Sequence, residues 1–160
     1  MRVGIGYDVH QLVEGRKLFL GGIEVAFHKG LLGHSDGDAL IHAICDAVLG
    51  AISEDDIGVL FPDCDPATEG MRSTRILAQV MDLVAKKGYR LVNIDAIVAA
   101  EEPKIQPVRD EMRRALAAVM NVDVQRISIK GKTTERLGFV GKKEGIAVYA
   151  VALLEETRHG

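Results

Sequence analysis

The stretch His34-Ser35-Asp36-Gly37-Asp38-Ala39-Leu40-Ile41-His42 decides the fold, together with the earlier segment Gly6-Tyr7-Asp8-Val9-His10. Side chains of a β-strand alternate between its two faces, so we expect Asp8 and His10 on the same face. The longer stretch is expected to open a helix and to place His42 about one turn inside it. Two imidazoles and one carboxylate on two rigid elements form a set that holds catalytic Zn²⁺ with a fourth position open. The sequence therefore predicts a metal centre between a strand and a helix.

The predicted helix carries further polar residues beside this ligand set. Ser35 or Asp36 is placed to cap its first turn, and Asp38 suits the positive end of the helix. Asp46 lies one turn after His42. We therefore expect the Asp46 carboxylate to accept a hydrogen bond from the far ring nitrogen of His42, as outer carboxylates of metal sites do.

Composition is that of an ordinary globular protein. The 160 residues are 48% hydrophobic and 27% charged, with a formal net charge of -3. This length predicts a single domain over residues 1–160. No apolar run reaches the roughly 18 residues of a membrane span, and no basic stripe interleaved with aromatic residues indicates a nucleic-acid surface. Because there is no signal-peptide pattern and only two cysteines, Cys45 and Cys64, the cytoplasm is the expected compartment.

The distribution of hydrophobic residues predicts strands and helices along the chain. Alternation predicts strands over 2–10 and 91–100, a short strand is expected over 126–130, and an almost unbroken apolar run predicts a strand over 146–154. Helical spacing predicts three helices: one that opens near Ser35, one over residues 72–87 and one with Pro107 in its first turn. A hairpin turn is expected at Gly21-Gly22. Residues 27–33 and 54–65 are expected to be loops.

These elements predict an α+β fold. We expect a two-layer, ferredoxin-like sandwich: mainly a four-stranded sheet with three helices on one face, plus a small N-terminal hairpin. The segment 146–154 is apolar on both faces, which is typical of a strand covered on both sides. Three helices, each about 10 Å wide, cover about one face of such a sheet. We therefore expect a second subunit on the other face and hence a homo-oligomer.

A second group of chemical residues follows the third predicted strand, in the segment Lys130-Gly131-Lys132-Thr133-Thr134-Glu135. Its hydroxyls and backbone N–H groups suit phosphate oxygens, and Lys132 adds positive charge. Glu135 would lie among phosphates only with a cation between them, and Mg²⁺ held by one carboxylate plus substrate phosphates is the usual arrangement. The proline-stiffened loop over residues 99–107 would present backbone groups to a nucleotide base.

Several short motifs together carry a resemblance to a known family. They are Gly6-Tyr7-Asp8-Val9-His10, His34 through His42, Asp56-Ile57-Gly58 with Phe61-Pro62-Asp63, Lys104, and Thr133-Thr134-Glu135 with Leu137-Gly138-Phe139. With these motifs the chain, from residue 1 to about 155, resembles the 2-C-methyl-D-erythritol 2,4-cyclodiphosphate synthase family. The resemblance implies a lyase of non-mevalonate isoprenoid biosynthesis. Such an enzyme converts 4-diphosphocytidyl-2-C-methyl-D-erythritol 2-phosphate to 2-C-methyl-D-erythritol 2,4-cyclodiphosphate and releases CMP.

The resemblance also implies an assembly and two metals. The assembly would be a homotrimer with sheets inside, helices outside and active sites at subunit interfaces, and its central cavity would be a candidate site for an isoprenoid diphosphate. Asp8, His10 and His42 would bind one Zn²⁺ per subunit. Glu135 would bind a Mg²⁺ or Mn²⁺ that bridges the substrate diphosphate.

Individual residue roles follow from the same resemblance. His34 and Thr133 would be catalytic residues that steady the transition state. Lys132 stands where a hydroxyl residue is frequent in the family, and Lys142 stands where arginine is common. The substrate would contact Asp8 and His10 at the metal; His34, Ser35, Phe61 and Asp63 at the methylerythritol phosphate; Asp56 and Gly58 at the ribose; Ala100, Lys104, Ile105 and Gln106 at the cytosine and phosphates; and also Lys132, Thr133, Thr134, Glu135, Phe139 and Lys142.

Two other functions stay open from the residues alone. The first is a zinc-dependent phosphohydrolase acting on a nucleotide-linked substrate, in which a metal-bound water would attack and Asp38 or Asp46 would be the nearby base. The second is a non-catalytic sensor of nucleotides or isoprenoid diphosphates, in which Tyr7, Lys142 and Glu144 would line a central cavity.

Overall fold

The computed structural model describes residues 1–62 and 70–157 of the chain. Asp63 and Cys64, which were named above, lie outside the described residues. Within the described ranges, the strands are β1 Arg2–Glu14, β2 Leu18–Leu20, β3 Ile23–Val25, β4 Lys29–Leu31, β5 Tyr89–Ala99, β6 Ile127–Lys132 and β7 Gly145–Glu156. The helices are α1 Ala39–Ala51, α2 Ile57–Leu60, α3 Ser73–Lys86, α4 Arg109–Met120 and α5 Gly138–Gly141, with one 3-10 turn, Val124–Arg126.

A five-stranded mixed sheet forms one layer, in the order β4-β1-β7-β5-β6. β1 is antiparallel to both β4 and β7, β7 is antiparallel to β5, and β5 is parallel to β6. The predicted α+β class and the hairpin with its Gly21-Gly22 turn are confirmed. The predicted strand count was too low, because residues 27–33 contain β4. Only three residues form β4, too few to show alternation, and they pair with the distant segment Leu12–Glu14.

The predicted ferredoxin-like arrangement is not confirmed. A ferredoxin-like sheet is built from split βαβ units, whereas β5 and β6 are direct parallel neighbours in this sheet and α4 connects them in the chain. The three predicted helices correspond to α1, α3 and α4, and two four-residue helices, α2 and α5, join them among the described residues. None of the helices in residues 1–62 and 70–157 is long and apolar enough to cross a membrane.

Two predicted helix starts were wrong. The first helix begins at Ala39, and Asp38 rather than Ser35 or Asp36 is its N-cap, accepting a hydrogen bond from the backbone N–H of Ile41 at 3.0 Å. Gly37, with φ of 72°, interrupts any earlier start because left-handed backbone does not belong to the helix. The third long helix begins two residues after Pro107, at Arg109.

The contact between β1 and α1 fixes the relation of sheet and helices. A Cβ atom added at Gly4 would lie 1.9 Å from the backbone oxygen of Ala47, and one at Gly6 would lie 1.9 Å from that of Ala43. Only glycine therefore permits this approach of strand to helix backbone. The next two residues on the same face of β1 are Asp8 and His10, so the same contact brings them to α1.

The opposite face of the sheet is apolar and open. Ile5 is 71% exposed and Val3 is 68% exposed. On the neighbouring strand β7, Tyr149 and Val151 are also exposed, and the rings of Tyr7 and Tyr149 lie 4.8 Å apart between centroids. The apolar character expected on both faces of the last strand is therefore present. In the single chain only the helix-facing side is covered.

We expect Gly6→Ala to destabilise the protein by about 2–3 kcal/mol or more, because the new methyl group would overlap the helix backbone. Gly50 is the matched control. It lies in the interior of α1, and a Cβ atom there would meet nothing nearer than the backbone oxygen of Ile5 at 4.0 Å. Gly50→Ala is expected to stabilise by up to about 1 kcal/mol, since alanine favours the helix. Urea unfolding of both variants at one protein concentration measures the difference, and equal effects would contradict the packing described.

Candidate active site

The predicted triad comes together at the junction of β1 and α1. Asp8 Oδ2 lies 2.9 Å from His10 Nε2 and 3.1 Å from His42 Nδ1, and the two nitrogens are 3.2 Å apart. Ligand atoms that surround a tetrahedral Zn²⁺ at about 2.0–2.1 Å lie about 3.3 Å from one another. The three atoms therefore form a candidate metal site, and the described residues contain this one such group.

The second nitrogen of each ring has its own partner. His10 Nδ1 donates to the backbone oxygen of Leu32 at 2.5 Å, so Nε2 keeps its lone pair for a metal. His42 Nε2 lies 2.9 Å from Ser73 Oγ at the start of α3. The expected partner of His42, Asp46, was wrong: Asp46 Oδ1 accepts from the backbone N–H of Ile57 at 3.0 Å and so holds the start of α2. The ring of His42 points across to α3 rather than along its own helix.

The charge distribution of the triad favours an ionised carboxylate. Burial disfavours the charged form of Asp8, but protonated His10 and His42 rings donate hydrogen bonds to it and bring positive charge, which outweighs burial and lowers the pKa of Asp8 to about 2. Burial also opposes protonation of His10, while the hydrogen bond and charge of Asp8 raise the pKa of His10 above its usual value. An anionic Asp8 is the form that a cation requires.

Asp38 and Asp46, the two carboxylates considered as bases for a hydrolase, both accept hydrogen bonds from backbone N–H groups of other elements. Asp38 is fully buried, and its oxygens accept from the backbone N–H groups of Gly21 at 2.9 Å, Gly22 at 2.7 Å and Ile41 at 3.0 Å. Asp38 therefore ties the β2–β3 hairpin to α1. Asp46 holds α2, as described above.

A groove next to the triad contains several of the predicted substrate residues. Arg16, which the sequence analysis did not identify, donates to the backbone oxygens of Gly33 and Ser35, each at 3.1 Å, and so holds one wall of the groove. Asp56 borders it as the N-cap of α2, accepting from the N–H of Val59 at 3.1 Å. The groove is lined by Asp8, His10, Gly33, His34, Ser35, His42, Ile57, Gly58, Phe61 and Ile76.

A second groove lies at the end of β6. Its lining includes four cationic side chains and no acidic one, which suits an anionic ligand. The predicted residues Ala100, Lys104, Ile105, Gln106, Lys132 and Thr133 line it together with Arg109, Ile129, Lys130 and Gly131. A Cβ atom at Gly131 would lie 2.7 Å from Ile105 Cβ, so glycine allows the strand and the 100–106 loop to meet.

The turn after β6 is held by Glu101. Glu101 Oε1 accepts from the backbone N–H of Thr134 at 3.0 Å and of Arg136 at 3.1 Å. The hydrogen bond from Arg136 is the main cause that lowers the pKa of Glu101. Glu135 and Arg136 have φ of 53° and 65°, a left-handed conformation unusual for these residues, and Thr133 Oγ1 donates to Glu135 Oε1 at 2.9 Å.

Five of the predicted substrate residues that the structure describes line neither groove: Asp56, Thr134, Glu135, Phe139 and Lys142. Phe139 lies beside β1, in a shallow depression shared with Val9, His10 and Glu144. Lys142 is the C-cap of α5.

The two grooves are separate within one chain. They share no lining residue. His10 is paired with Ile146, whose neighbour Ala147 is paired with Ala99, and Ala99 is paired with Lys132. Both grooves therefore lie at the same end of the sheet, but β1 and β6 are three strand spacings apart, or about 14 Å.

An α+β scaffold with a candidate Asp-His-His metal site and a cationic groove is typical of a metal-dependent enzyme. The YgbB family model matches residues 1–155. A Syntrophotalea carbinolica protein named 2-C-methyl-D-erythritol 2,4-cyclodiphosphate synthase is 54% identical over 159 residues, which cover 99% of this chain and 97% of that protein. The chain belongs to the YgbB family of 2-C-methyl-D-erythritol 2,4-cyclodiphosphate synthases and is an enzyme of this family.

Solved structures show the same similarity. IspF from Plasmodium falciparum in complex with CDP is 38% identical, with a TM-score of 0.86 over 98% of this chain and 97% of that chain. The bifunctional IspDF from Campylobacter jejuni is 41% identical, with a TM-score of 0.93 over 97% of this chain and 42% of that chain. The fold described above is therefore shared with structures of this family.

Replacing Glu101 is expected to loosen the turn that carries Glu135. In Glu101→Ala the N–H groups of Thr134 and Arg136 lose their common acceptor, so trypsin is expected to cut after Arg136 about tenfold faster or more. Glu102→Ala is the matched control, because the carboxylate of Glu102 makes an exposed ion pair with Lys143. Mass spectrometry of the digests identifies the cleavage site, and equal rates in the two variants would show that Glu101 does not hold the turn.

Proposed function

We propose that the protein cyclises 4-diphosphocytidyl-2-C-methyl-D-erythritol 2-phosphate to 2-C-methyl-D-erythritol 2,4-cyclodiphosphate with release of CMP. The observation that carries the proposal is the triad: the ligand atoms of Asp8, His10 and His42 are 2.9–3.2 Å apart and belong to the lining of a groove. Family membership and the CDP complex of a related structure support the nucleotide-linked substrate.

In this proposal Asp8, His10 and His42 hold Zn²⁺ and Glu135 holds Mg²⁺ or Mn²⁺. When bound, the two cations would polarise the phosphates and neutralise the charge of the departing CMP. The substrate's own 2-phosphate oxygen is the attacking group and is already anionic near neutral pH. The protein therefore needs no strong base, and its contribution is to position two anionic groups against each other.

Side chains at both grooves position the substrate. His34 contacts the phosphate beside the triad, and Thr133 contacts the phosphate at the second groove; both stabilise the transition state. At the first groove Ser35 and Phe61 hold the methylerythritol phosphate. The remaining proposed contacts are Asp56 and Gly58 at the ribose, Ala100, Ile105 and Gln106 at the cytosine, and Lys104, Lys132, Thr134, Phe139 and Lys142 at the phosphates and their surroundings.

We also propose that the active enzyme is a homotrimer with its sites between subunits. The open apolar face of the sheet, which includes Val3, Ile5 and Val151, needs a cover that the single chain lacks. The two grooves are about 14 Å apart within one chain, too far to act on one diphosphate. Association through the open face would bring the first groove of one subunit to the second groove of its neighbour. The cavity enclosed on the trimer axis would be the site for an isoprenoid diphosphate.

The phosphohydrolase is not favoured, because the relatives of this chain are named cyclodiphosphate synthases and because Asp38 is fully buried under three backbone N–H groups, while Asp46 holds the start of α2. The non-catalytic sensor is not favoured either, because the relatives of this chain are enzymes.

Turnover of the CDP-linked substrate tests the proposed reaction. The wild-type protein is expected to give CMP and the cyclic diphosphate, whereas a hydrolase would give linear products. His42→Ala is expected to lose bound Zn²⁺ and to release CMP at least about 100-fold more slowly, because one of three ligands is missing. Asp46→Asn is the control, since Asp46 lies on the same helix but contacts α2. Metal analysis and phosphorus NMR of the products measure both effects, and cyclase activity retained in His42→Ala would refute the zinc assignment.

Mixing two inactive variants tests the shared sites. His42→Ala removes a proposed zinc ligand of the first groove, and Glu135→Ala removes the proposed magnesium ligand in the turn after β6, next to the second groove, so each pure trimer is expected to be inactive. In mixed trimers some interfaces combine two intact grooves, and random mixing of equal amounts gives about one quarter of the wild-type activity. The two chains are refolded together and assayed for CMP. A mixture as inactive as its components would place the complete site within one subunit.

A further inference from the structure

We propose that Ser73 and Asp36 act as positioning residues for the metal ligand His42, through a directed hydrogen-bond relay from Asp36 through the Ser73 hydroxyl to His42 Nε2. The relay would fix His42 in the tautomer whose Nδ1 carries a lone pair. This inference rests on the proposed metal site and deepens it. It assigns a function to two residues outside the ligand set.

The contacts of the relay are short and join three separate segments. Ser73 Oγ lies 2.9 Å from His42 Nε2 and donates to Asp36 Oδ1 at 2.5 Å. Asp36 Oδ2 accepts from the backbone N–H of Ser73 at 3.1 Å and from Arg72 Nε at 3.0 Å. Asp36 precedes α1, Ser73 is the first residue of α3, and His42 lies in α1. Both oxygens of Asp36 are therefore committed to the start of α3.

The donors and acceptors of the relay follow from which of its groups carry a proton. A carboxylate only accepts, so the single hydroxyl proton of Ser73 goes to Asp36. The Ser73 oxygen is then an acceptor toward His42, and Nε2 must be the nitrogen that carries the proton. A neutral imidazole has one N–H, so Nδ1 is left with a lone pair toward Asp8 and His10.

The relay disfavours the other tautomer of His42, in which Nδ1 carries the proton and donates to Asp8. His42 Nδ1 lies 3.1 Å from Asp8 Oδ2, so without a metal the ring could place its proton on Nδ1 and donate to Asp8. That tautomer cannot ligate a metal through Nδ1. Ser35 Oγ, the other neighbour of Nε2, lies at the longer distance of 3.4 Å and already accepts from the N–H of Gly37. Ser73, as the nearest acceptor for a proton on Nε2, is therefore the group that favours the metal-binding tautomer over the one that donates to Asp8.

Burial makes the Ser73 hydroxyl hard to replace. Ser73 has no exposed surface, and His42 is 8% exposed. If the hydroxyl were removed, a proton on Nε2 would be left buried without its nearest acceptor, which disfavours that tautomer. Ser73→Ala removes only one oxygen atom and keeps the helix start. It is thus a small change with a specific expected consequence.

Zinc affinity of the metal-free protein, measured by competition with a chromophoric chelator, tests the relay. Loss of an outer partner of a metal-bound histidine costs about 10- to 100-fold in affinity, and we expect this for Ser73→Ala. Asp36→Asn keeps an oxygen acceptor but removes the charge, so a smaller loss is expected. Arg72→Gln is the matched control, because it removes the ion pair that the solvent-exposed Arg72 guanidinium makes with Asp36 and leaves both hydrogen bonds of the Ser73 hydroxyl. Its affinity is expected to stay within about twofold of wild type.

A second measurement needs no metal. Nitrogen-15 shifts of the His42 ring at pH 8 distinguish protonation at Nε2 from protonation at Nδ1. The wild type and Arg72→Gln are expected to carry the proton on Nε2, and Ser73→Ala is expected to shift it to Nδ1. Thermal unfolding of each variant shows whether it is folded. If Ser73→Ala does not fold, the relay is tested by comparing the zinc affinity and the His42 tautomer of Asp36→Asn with those of Arg72→Gln.

The outcomes separate the relay from the metal site. Weaker zinc binding together with the altered tautomer in Ser73→Ala supports the relay. Unchanged zinc affinity and an unchanged tautomer in a folded Ser73→Ala protein would overturn it, while the proposed function stands. A wild-type protein that binds no zinc at the triad would overturn the proposed metal site, and the relay as a device for metal binding would fall with it.

Discussion

The close approach of β1 to α1 is the contact on which the rest of the structure depends. One face of β1 carries two glycines followed by two candidate metal ligands: Gly4 and Gly6 permit contact with the helix backbone, and Asp8 and His10 continue that face. Because strand and helix touch through main-chain atoms, little freedom remains in their separation. The ring of His42 therefore arrives within 3.2 Å of the strand ligands without any adjustable loop between them.

The sequence was sufficient to predict the triad because periodicity alone determines which side chains share a face. It was not sufficient to predict how the ring of His42 is held. Asp46 was expected there because helical spacing places it one turn away, but the direction of an imidazole depends on its rotamer and on what packs against α1. Ser73 comes from α3, 31 residues further along the chain. No local pattern links these two residues, although Ser73 at a helix start is a recognisable position.

The fold was predictable where elements are long and was missed where they are short. The three long helices and the four main strands have clear hydrophobic patterns, periodic or continuously apolar, and their existence is confirmed. β4, α2 and α5 have three or four residues each, too few for a periodic pattern, and β4 and the start of α2 are held by residues elsewhere in the chain. A bulge at Val92 also breaks the expected alternation of β5, so that Leu91 rather than Val92 is buried.

The strand order explains why the proposed active site would need a second subunit. Because β7 and β5 lie between β1 and β6, the metal groove and the cationic groove belong to the same end of the sheet but cannot meet. β1 and the inner strand β7 present the open apolar face that includes Ile5, Tyr149 and Val151. A single mode of association would therefore satisfy two separate needs: it would bury apolar surface, and it would bring complementary grooves together. Coupling catalysis to assembly in this way requires no further structural element, only the strand order that the chain already has.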